Sequence, residues 1–272
     1  MLKALLFTFV FAAACLADSP VAAAGNVNPE EIIRKFSQKE SSFLKARESY
    51  TYRQTVKLVL LTPDGNPTDE KYEVVEDVIF DRDGKRIEKV LRAPPSTLRS
   101  IFLTNEDEQD LRNVQPFVLN AENIDKYIIN YMGKQQVDEI NCYLFAVRPK
   151  QMVKGERYFD GQIWVDDRDF QIVKTYGKGV GRQGRNGDNQ FPKFETYREQ
   201  IDGKYWFPTY TIANDTLHFK DMNQRIKMTV KYEDYKQFKS DVTIQYGDEV
   251  KDEDKKEPGG KDQKPEDKKP VP

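Results

Sequence analysis

Between residues 131 and 174 the sequence alternates short apolar runs with single-glycine and aspartate-rich turns. The run Ile163-Trp164-Val165, for example, leads directly into an Asp-Asp-Arg-Asp turn at 166–169. Short strands separated by tight polar turns are typical of antiparallel sheets, because a tight turn brings the next strand back beside the preceding one. The segment therefore predicts a curved antiparallel sheet.

Apolar residues recur at every second position along most of the chain, which extends the prediction of a sheet beyond this segment. Val56, Leu58 and Leu60 share one face of a strand that begins at Tyr50, and turns rich in proline, aspartate and glycine follow. About eleven strands are predicted at this hairpin spacing, which is that of a sandwich or barrel. They are the strand from Tyr50 onward, Tyr72–Asp81, Arg86–Leu91, Lys126–Tyr131, Lys134–Glu139, Cys142–Arg148, Arg157–Asp166, Phe170–Tyr176, Phe191–Ile201, Tyr205–Ile212 and Arg225–Tyr235.

Two helices are predicted to accompany the sheet. Asn28 as a cap, followed by a proline and two glutamates, begins a helix that ends near Glu48. A second helical insertion is predicted between Ser96 and Val114, with Asn105 as its cap. Residues 226–233 alternate apolar and polar, whereas 143–147 are apolar on both faces. One face of the sheet is therefore expected to be partly exposed, and the other to be covered by these helices.

Both ends of the chain are predicted to lie outside the folded domain. Residues 1–24 have the pattern of a secretion signal: Lys3, an apolar core and a small-residue cleavage site at 22–24. Residues 247–272 are rich in charge, proline and glycine and predict a disordered tail. Residues 25–246 then form one β domain. Cys15 follows three alanines, so cleavage there with lipidation is the alternative to a soluble protein cleaved after Ala24.

The sequence contains none of the familiar patterns of catalytic or metal-binding residues that we looked for. His218 is the only histidine, which excludes a histidine-based metal cluster, and no Ser or Cys nucleophile motif accompanies it. The 43 Lys and Arg residues nearly balance 45 Asp and Glu residues and gather on no single element, so nucleic-acid binding is not expected. We expect no catalytic residue, cofactor or metal, although a carboxylate pair cannot be located from sequence alone.

A glycine-rich segment at 177–187 superficially resembles a phosphate-binding turn. No helix is predicted after it, so a hairpin loop is the better interpretation. The basic residues of this loop are candidates for contacting an anionic headgroup or a partner at the mouth of a cavity. They are Lys178, Arg182 and Arg185.

Aromatic residues make up 12% of the chain, and many lie on or beside the late strands. Any one of them can pack in an ordinary core. An open curved sheet of this size rarely closes without internal space, however, so the set indicates a cavity between sheet and helices. The candidate cavity residues are Phe80, Tyr143, Phe145, Phe159, Ile163, Trp164, Trp206 and Tyr210.

A series of short hairpin motifs runs through the second half of the chain. They are Tyr131-x-Gly133, Val137-Asp138, Cys142-Tyr143, Arg148-Pro149-Lys150, Gly161-x-Ile163-Trp164-Val165-Asp166, Ile172-Val173-Lys174, Phe194-Glu195-Thr196-Tyr197 and Gly203-Lys204-Tyr205-Trp206-Phe207-Pro208. Together they resemble the LolA/LolB-like outer-membrane lipoprotein-sorting superfamily. The resemblance covers roughly residues 28–238.

This resemblance implies a mainly β fold, an unclosed antiparallel β-barrel of about eleven strands with helices over its concave face. It also implies a periplasmic protein of a diderm bacterium that binds and transfers lipid or lipoprotein acyl chains, with an envelope membrane protein as a further partner. Burial at about 0.8 kcal/mol per CH₂ offers on the order of 10 kcal/mol for a long acyl chain. Two alternatives remain open: an RseB-type sensor of envelope lipid, and a hydrolase that uses a carboxylate pair or His218.

Overall fold

The computed structural model describes residues 28–81, 83–112, 119–181 and 191–238, without the side chains of Glu106 and Asp110. Within these ranges the chain forms two α-helices, a short 3-10 helix at Ile124–Lys126 and ten strands. The helices are α1 (Pro29–Arg47) and α2 (Asn105–Arg112). The strands are β1 (Tyr50–Leu61), β2 (Pro67–Phe80), β3 (Arg86–Arg92), β4 (Tyr127–Val137), β5 (Ile140–Pro149), β6 (Arg157–Asp166), β7 (Ile172–Gly181), β8 (Phe194–Ile201), β9 (Tyr205–His218) and β10 (Asn223–Gln237). The predicted secretion signal and charged tail lie outside the described residues.

All ten strands belong to one antiparallel sheet in the order β3-β2-β1-β10-β9-β8-β7-β6-β5-β4. Neighbouring strands are consecutive in the sequence except for β1 and β10, which pair along the whole of β1. The last strand is thereby joined to the first hairpin inside the sheet. Among the described residues β3 and β4 are the two edges and do not pair with each other. The predicted fold class, a mainly β chain with an unclosed antiparallel sheet and helices, is confirmed.

Helix α1 begins at the predicted cap. The Asn28 side-chain oxygen accepts hydrogen bonds from the backbone N–H groups of Glu30 at 3.1 Å and Glu31 at 3.3 Å. Pro29 occupies the first helical position, where a missing N–H leaves no hydrogen bond unmade. One stripe of the helix is buried, and it consists of Ile32, Phe36, Ser37, Glu40 and Phe43.

Strand β4 corrects the predicted number of strands. The sequence predicts two strands at 126–131 and 134–139, with a turn at Gly133 between them. The structure has the single strand β4, and its register against β5 shifts between Tyr131 and Gly133. Gly133 has a φ of 108°. A β-bulge bends a strand without ending it, so Gly133 marks a bulge and ten strands replace the predicted eleven.

Helix α2 lies inside the predicted insertion, but its cap is one residue earlier than predicted. The Asp107 carboxylate accepts hydrogen bonds from the Thr104 N–H at 2.9 Å and hydroxyl at 2.7 Å. In return, the Asp107 N–H donates to the Thr104 hydroxyl oxygen at 3.1 Å. This reciprocal pair is a capping box in which aspartate replaces the usual glutamate. Asn105 is therefore the first helical residue rather than the cap.

The strand register gives the sheet an inner face, which α1 covers, and an outer face. Cross-strand partners lie on the same face, so a row of side chains can be followed across the sheet. The central row of the inner face runs from β2 to β4 through Val74, Val56, Val230, Thr211, Thr196, Thr175, Ile163, Phe145 and Tyr131. Most of this row is apolar, and threonines occupy its centre.

Gly161 and Gly177 face each other across β6 and β7 on this inner face. A Cβ on Gly161 would lie 2.2 Å from the carbonyl oxygen of Tyr176, and one on Gly177 would lie 2.5 Å from that of Asp160. Both positions would also approach the Phe159 ring to 2.8 Å. Only glycine permits this close backbone approach together with an aromatic ring packed against it.

Candidate functional site

The inner face is an apolar surface to which nine of the ten strands contribute. One core cluster joins buried side chains of β1, β2 and β4 to β10 with Ile32 and Phe36 of α1. No second sheet covers this face within the described part of the chain. The covers are α1, residues 93–104, α2 and Leu119, which are separate pieces of chain. An apolar surface covered in this way is the strongest candidate for a ligand-binding site.

Helix α1 covers the part of the inner face formed by β5, β8 and β9. The centres of the Phe36 and Phe145 rings lie 5.7 Å apart, and those of the Phe43 and Phe207 rings lie 5.2 Å apart. Between these contacts Glu40 accepts two hydrogen bonds from Arg198, at 2.8 and 3.2 Å. Both side chains of this ion pair are 1% exposed. α1 is thus held by apolar contacts around one buried charge pair.

Residues 93–104, which we call the strap, run beside β2 and then cross toward α2. Leu98, Ile101 and Leu103 pack against the core, whereas Phe102 is 86% exposed. Glu70 anchors the strap, because its carboxylate accepts the Ser100 hydroxyl at 2.7 Å and the backbone N–H groups of Ser100 and Arg99 at 2.7 and 2.6 Å. These hydrogen bonds, that from the Ser100 hydroxyl foremost, lower the pKa of Glu70 to about 2.

Helix α2 ends in a polar cluster on the inner face, formed by Gln54, Glu76, Arg86, Glu88 and Arg112. The Gln54 amide and the Arg86 guanidinium donate to the Arg112 backbone carbonyl at 2.7 and 3.2 Å. Glu76 and Glu88 lie 3.3–3.9 Å from the two guanidinium groups. Burial, together with the Glu88 charge, raises the pKa of Glu76. The attachment of α2 to the sheet is therefore largely polar, unlike that of α1.

Five of the eight predicted cavity residues lie on the inner face. Phe80, Phe145, Phe159 and Ile163 are buried in its core cluster, and Tyr143 packs against it. The structure brings these five together from β2, β5 and β6.

The other three lie on the outer face, so the structure does not bring them together with these five. Trp164 packs with Cys142 and Val173 in a separate cluster, and Trp206 packs against that cluster. Tyr210 is the cross-strand partner of Lys231, an exposed residue of the outer face. Neighbouring residues of a strand point to opposite faces, so Ile163 and Trp164 cannot both line one cavity.

The outer face carries a cleft of about 320 Å³ beside this second cluster. The Trp206 indole N–H donates to the Asp169 carboxylate at 2.9 Å, and burial raises the pKa of Asp166. Burial also raises the pKa of the Cys142 thiol to about 12, which makes this thiol unreactive at neutral pH. The cleft is lined by Glu139, Ile140, Asn141, Asp166, Arg168, Asp169, Gln200 and Trp206.

The remaining candidate residues are not brought together. Lys178 is exposed on β7 opposite Asp160. Arg182, Arg185 and the proposed lipidation site Cys15 lie outside the described residues. His218 is exposed near the β9–β10 turn, with its Nδ1 2.8 Å from the Asn223 side-chain oxygen.

Comparison with known proteins gives matches in structure only. No protein-family model matches the chain, and no curated protein matches it in sequence. The solved structures similar to it include a LolA-superfamily protein of Nitrosomonas europaea, at 14% identity and a TM-score of 0.33 over 78% of this chain and 94% of that one. A DUF1329-family protein of Desulfovibrio piger has 14% identity and a TM-score of 0.37, over 80% of this chain and 95% of that one.

A third match is a domain of Vibrio parahaemolyticus described as an outer-membrane lipoprotein-sorting protein. It has 12% identity and a TM-score of 0.36, over 81% of this chain and 97% of that one.

Among the described residues no three His, Cys, Asp or Glu side chains are grouped so that they could hold a metal ion. Neither helix of the described chain is both long and apolar enough to cross a membrane.

The charged residues that hold the covers on the sheet are not among the residues predicted from the sequence. Glu40 lies four residues after Phe36 on the buried stripe of α1, and a charge in such a stripe indicates a buried partner. That signal was available in the sequence. The partner Arg198 could not be predicted, because it lies 158 residues away in the chain.

Proposed function

We propose that this protein binds lipid or lipoprotein acyl chains on the inner face of its sheet and transfers them without covalent chemistry. The observation that supports this proposal is the apolar inner face shared by nine strands and covered by separate pieces of chain. Helices and a strap can move away from a sheet one at a time, whereas a second sheet cannot. Movement of one cover would open apolar surface to an acyl chain.

The covers differ in how easily they could move. Contacts of α2 with the polar cluster are hydrogen bonds and ion pairs, and water can replace each for a net cost of about 1 kcal/mol. α1 buries Phe36 and Phe43, and losing either aromatic contact costs about 3 kcal/mol or more. We therefore propose that α2 and the strap open before α1 does.

In this proposal the protein acts in the periplasm of a diderm bacterium, either soluble or anchored through a lipidated Cys15. An envelope membrane protein would receive or supply the acyl chains. Transfer requires such an opening, because a sealed apolar pocket releases its ligand slowly. An RseB-type sensor would use the same inner face but would be recovered with a membrane signalling protein in a pull-down.

The proposal is tested by asking what the purified protein holds. We expect mass spectrometry of organic extracts to find lipid, and added lipid to displace an environment-sensitive fatty-acid probe. Protein without lipid that also fails to bind the probe would refute the proposal.

Two substitutions of alanine by phenylalanine, one on each face of the sheet, test on which face the lipid binds. Ala213→Phe adds a ring to the inner face on β9, where Ala213 is 1% exposed, and should weaken probe binding about tenfold by filling space. Ala146→Phe adds the same ring to the outer face of β5 and should leave binding unchanged. Equal effects of the two variants, with both proteins folded by circular dichroism, would contradict the assignment of the inner face.

The outer cleft favours one competing function, hydrolysis of an envelope substrate. Asp166, Asp169 and Glu139 line the same cleft, and burial raises the pKa of Asp166, as a general acid requires. If the protein were a hydrolase, Asp166→Asn would abolish turnover of lipid esters while probe binding stayed intact. The proposed function predicts that neither the wild type nor Asp166→Asn hydrolyses lipid esters. If the wild type does hydrolyse them, unchanged hydrolysis by His218→Ala would exclude His218 as the catalytic residue.

A further inference from the structure

A polar stripe crosses the centre of the apolar inner face. Thr175, Thr196 and Thr211 are cross-strand partners on β7, β8 and β9, and they are 3%, 0% and 0% exposed. The hydroxyl oxygens of Thr196 and Thr211 lie 2.8 Å apart, and that of Thr211 lies 3.4 Å from the Tyr232 hydroxyl. Nothing in the packing of an ordinary apolar core requires three hydroxyls in a row at its middle.

The hydroxyl at one end of this stripe has no partner among the described residues. Thr175 Oγ1 is buried and makes no hydrogen bond to any described group, although Thr196 is its neighbour in the row. A buried hydroxyl without a partner costs free energy, so native proteins rarely keep one without a reason. If Tyr232 donates to Thr211 and Thr211 donates to Thr196, the Thr196 proton also finds no acceptor along the row. The stripe then offers two hydroxyl donors side by side.

The charge around the stripe selects the kind of acceptor. Arg198 lies two residues beyond Thr196 on the same face of β8, about 7 Å along the strand. Its guanidinium is paired with Glu40 through two hydrogen bonds, so Arg198 offers no net positive charge to a carboxylate. A neutral carbonyl oxygen has two lone pairs, matches two hydroxyl donors and needs no counter-ion.

We propose that the polar stripe recognises the carbonyl group of an acyl ester or amide, with Thr175 as the donor. This inference rests on the proposed function and adds a ligand class to it. The acyl chain lies on the apolar rows, and its carbonyl oxygen accepts a hydrogen bond from Thr175. Free fatty acids, which carry a carboxylate, and alkyl ethers, which lack the carbonyl, bind less well.

The test compares two short-chain lipids that differ only in the carbonyl. Dioctanoyl phosphatidylglycerol and the matching dioctyl ether are titrated by calorimetry against the full chain below their micelle concentrations. The wild type should bind the ester about fivefold more tightly than the ether. One neutral hydrogen bond contributes about 1 kcal/mol, and about 1.4 kcal/mol corresponds to a tenfold change in affinity. Equal affinity for ester and ether overturns the inference, and no binding of either lipid overturns the proposed function as well.

Two variants at one position identify the donor. Thr175→Val keeps the shape of the side chain without its hydroxyl and should abolish the preference for the ester. Thr175→Ser keeps the hydroxyl and should retain that preference. The valine variant should unfold at a temperature no lower than the wild type, because the lost hydroxyl makes no hydrogen bond within the described part of the chain. A valine variant that still prefers the ester fivefold would overturn the role of Thr175.

A last comparison identifies the source of the carbonyl. A diacylated lipopeptide with ester-linked chains is titrated beside the phospholipid. Tighter binding of the lipopeptide in the wild type, with the same loss in Thr175→Val, assigns the stripe to lipoprotein acyl chains. Tighter binding of the phospholipid with that loss assigns it to glycerolipids.

Discussion

Replacing Glu40 by glutamine is the most direct perturbation of the contact between α1 and the sheet. Glu40 and Arg198 are each 1% exposed and share two hydrogen bonds of 2.8 and 3.2 Å. The Arg198 guanidinium also lies 5.0 Å from the centre of the Phe43 ring. Glutamine keeps the size of the side chain and one acceptor, but it leaves the Arg198 charge buried without a counter-charge.

The expected loss in the free energy of unfolding is about 3–5 kcal/mol, the range for breaking one partner of a buried ion pair. For a domain of this size each kcal/mol lowers the melting temperature by about 2–4 °C, so Glu40→Gln should lower it by about 10 °C. The pair itself need not be stabilising, since the Arg198 Nε makes no hydrogen bond to a described group. Glu40→Leu combined with Arg198→Met should therefore come within about 1 kcal/mol of the wild type.

Urea unfolding followed by far-ultraviolet circular dichroism measures each free energy. Glu31→Gln is the matched control on the same helix, because Glu31 pairs with Lys35 at 2.8 Å but both side chains are more than a third exposed. The Glu31→Gln substitution should lower the free energy of unfolding by no more than about 0.5 kcal/mol. A Glu40→Gln variant that loses less than about 1 kcal/mol, or a double variant as unstable as Glu40→Gln, would refute this reasoning.

Three further predictions concern stability and the outer face. Burial raises the pKa of Glu76 above its unfolded value of 4.5, so its protonated form contributes stability at low pH that is lost as the pH rises through the raised pKa. Glu76→Gln cannot ionise and should gain stability relative to the wild type from pH 4.5 to 8 in urea unfolding; a difference independent of pH would contradict this. Gly161→Ala should cost about 3 kcal/mol by clashing with the Tyr176 carbonyl, whereas Gly155→Ala, with open space but a φ of 89°, should cost about 1 kcal/mol in the same assay. Trp206→Phe should change lipid-probe affinity less than twofold, because Trp206 lies on the outer face; a tenfold loss would place the ligand there.

The sequence predicted the sheet and α1 because these depend on local signals. The α1 cap, for instance, consists of four consecutive residues at 28–31, and each hairpin turn lies between the strands that it joins. The β4 bulge was misread because an isolated glycine in an apolar run is compatible with either a turn or a bulge. Only pairing with β5 distinguishes the two, and that pairing is a property of the folded sheet.

For a related reason, the sequence could not show which of the candidate residues share one face of the sheet. Alternation assigns residues to two faces, but it does not say which face is inner when both are apolar. Ile163 and Trp164 are neighbours on β6. Both are large, apolar and buried, yet they belong to different clusters. The unpartnered hydroxyl of Thr175 could not be anticipated either, because it depends on the register of β7 against β8.

The inner face is the face on which α1 packs, and we expect the Glu40–Arg198 ion pair to fix the position of α1 along the sheet. Apolar contacts such as Phe36 with Phe145 tolerate small shifts of a helix along a sheet, whereas a buried charge tolerates none without its counter-charge. We therefore expect the Glu40→Leu, Arg198→Met double variant to keep its stability but to hold α1 less uniquely. Amide hydrogen exchange should become faster at the backbone of α1 than in β1 and β10. Unchanged protection of α1 in that variant would show that apolar packing alone positions the helix.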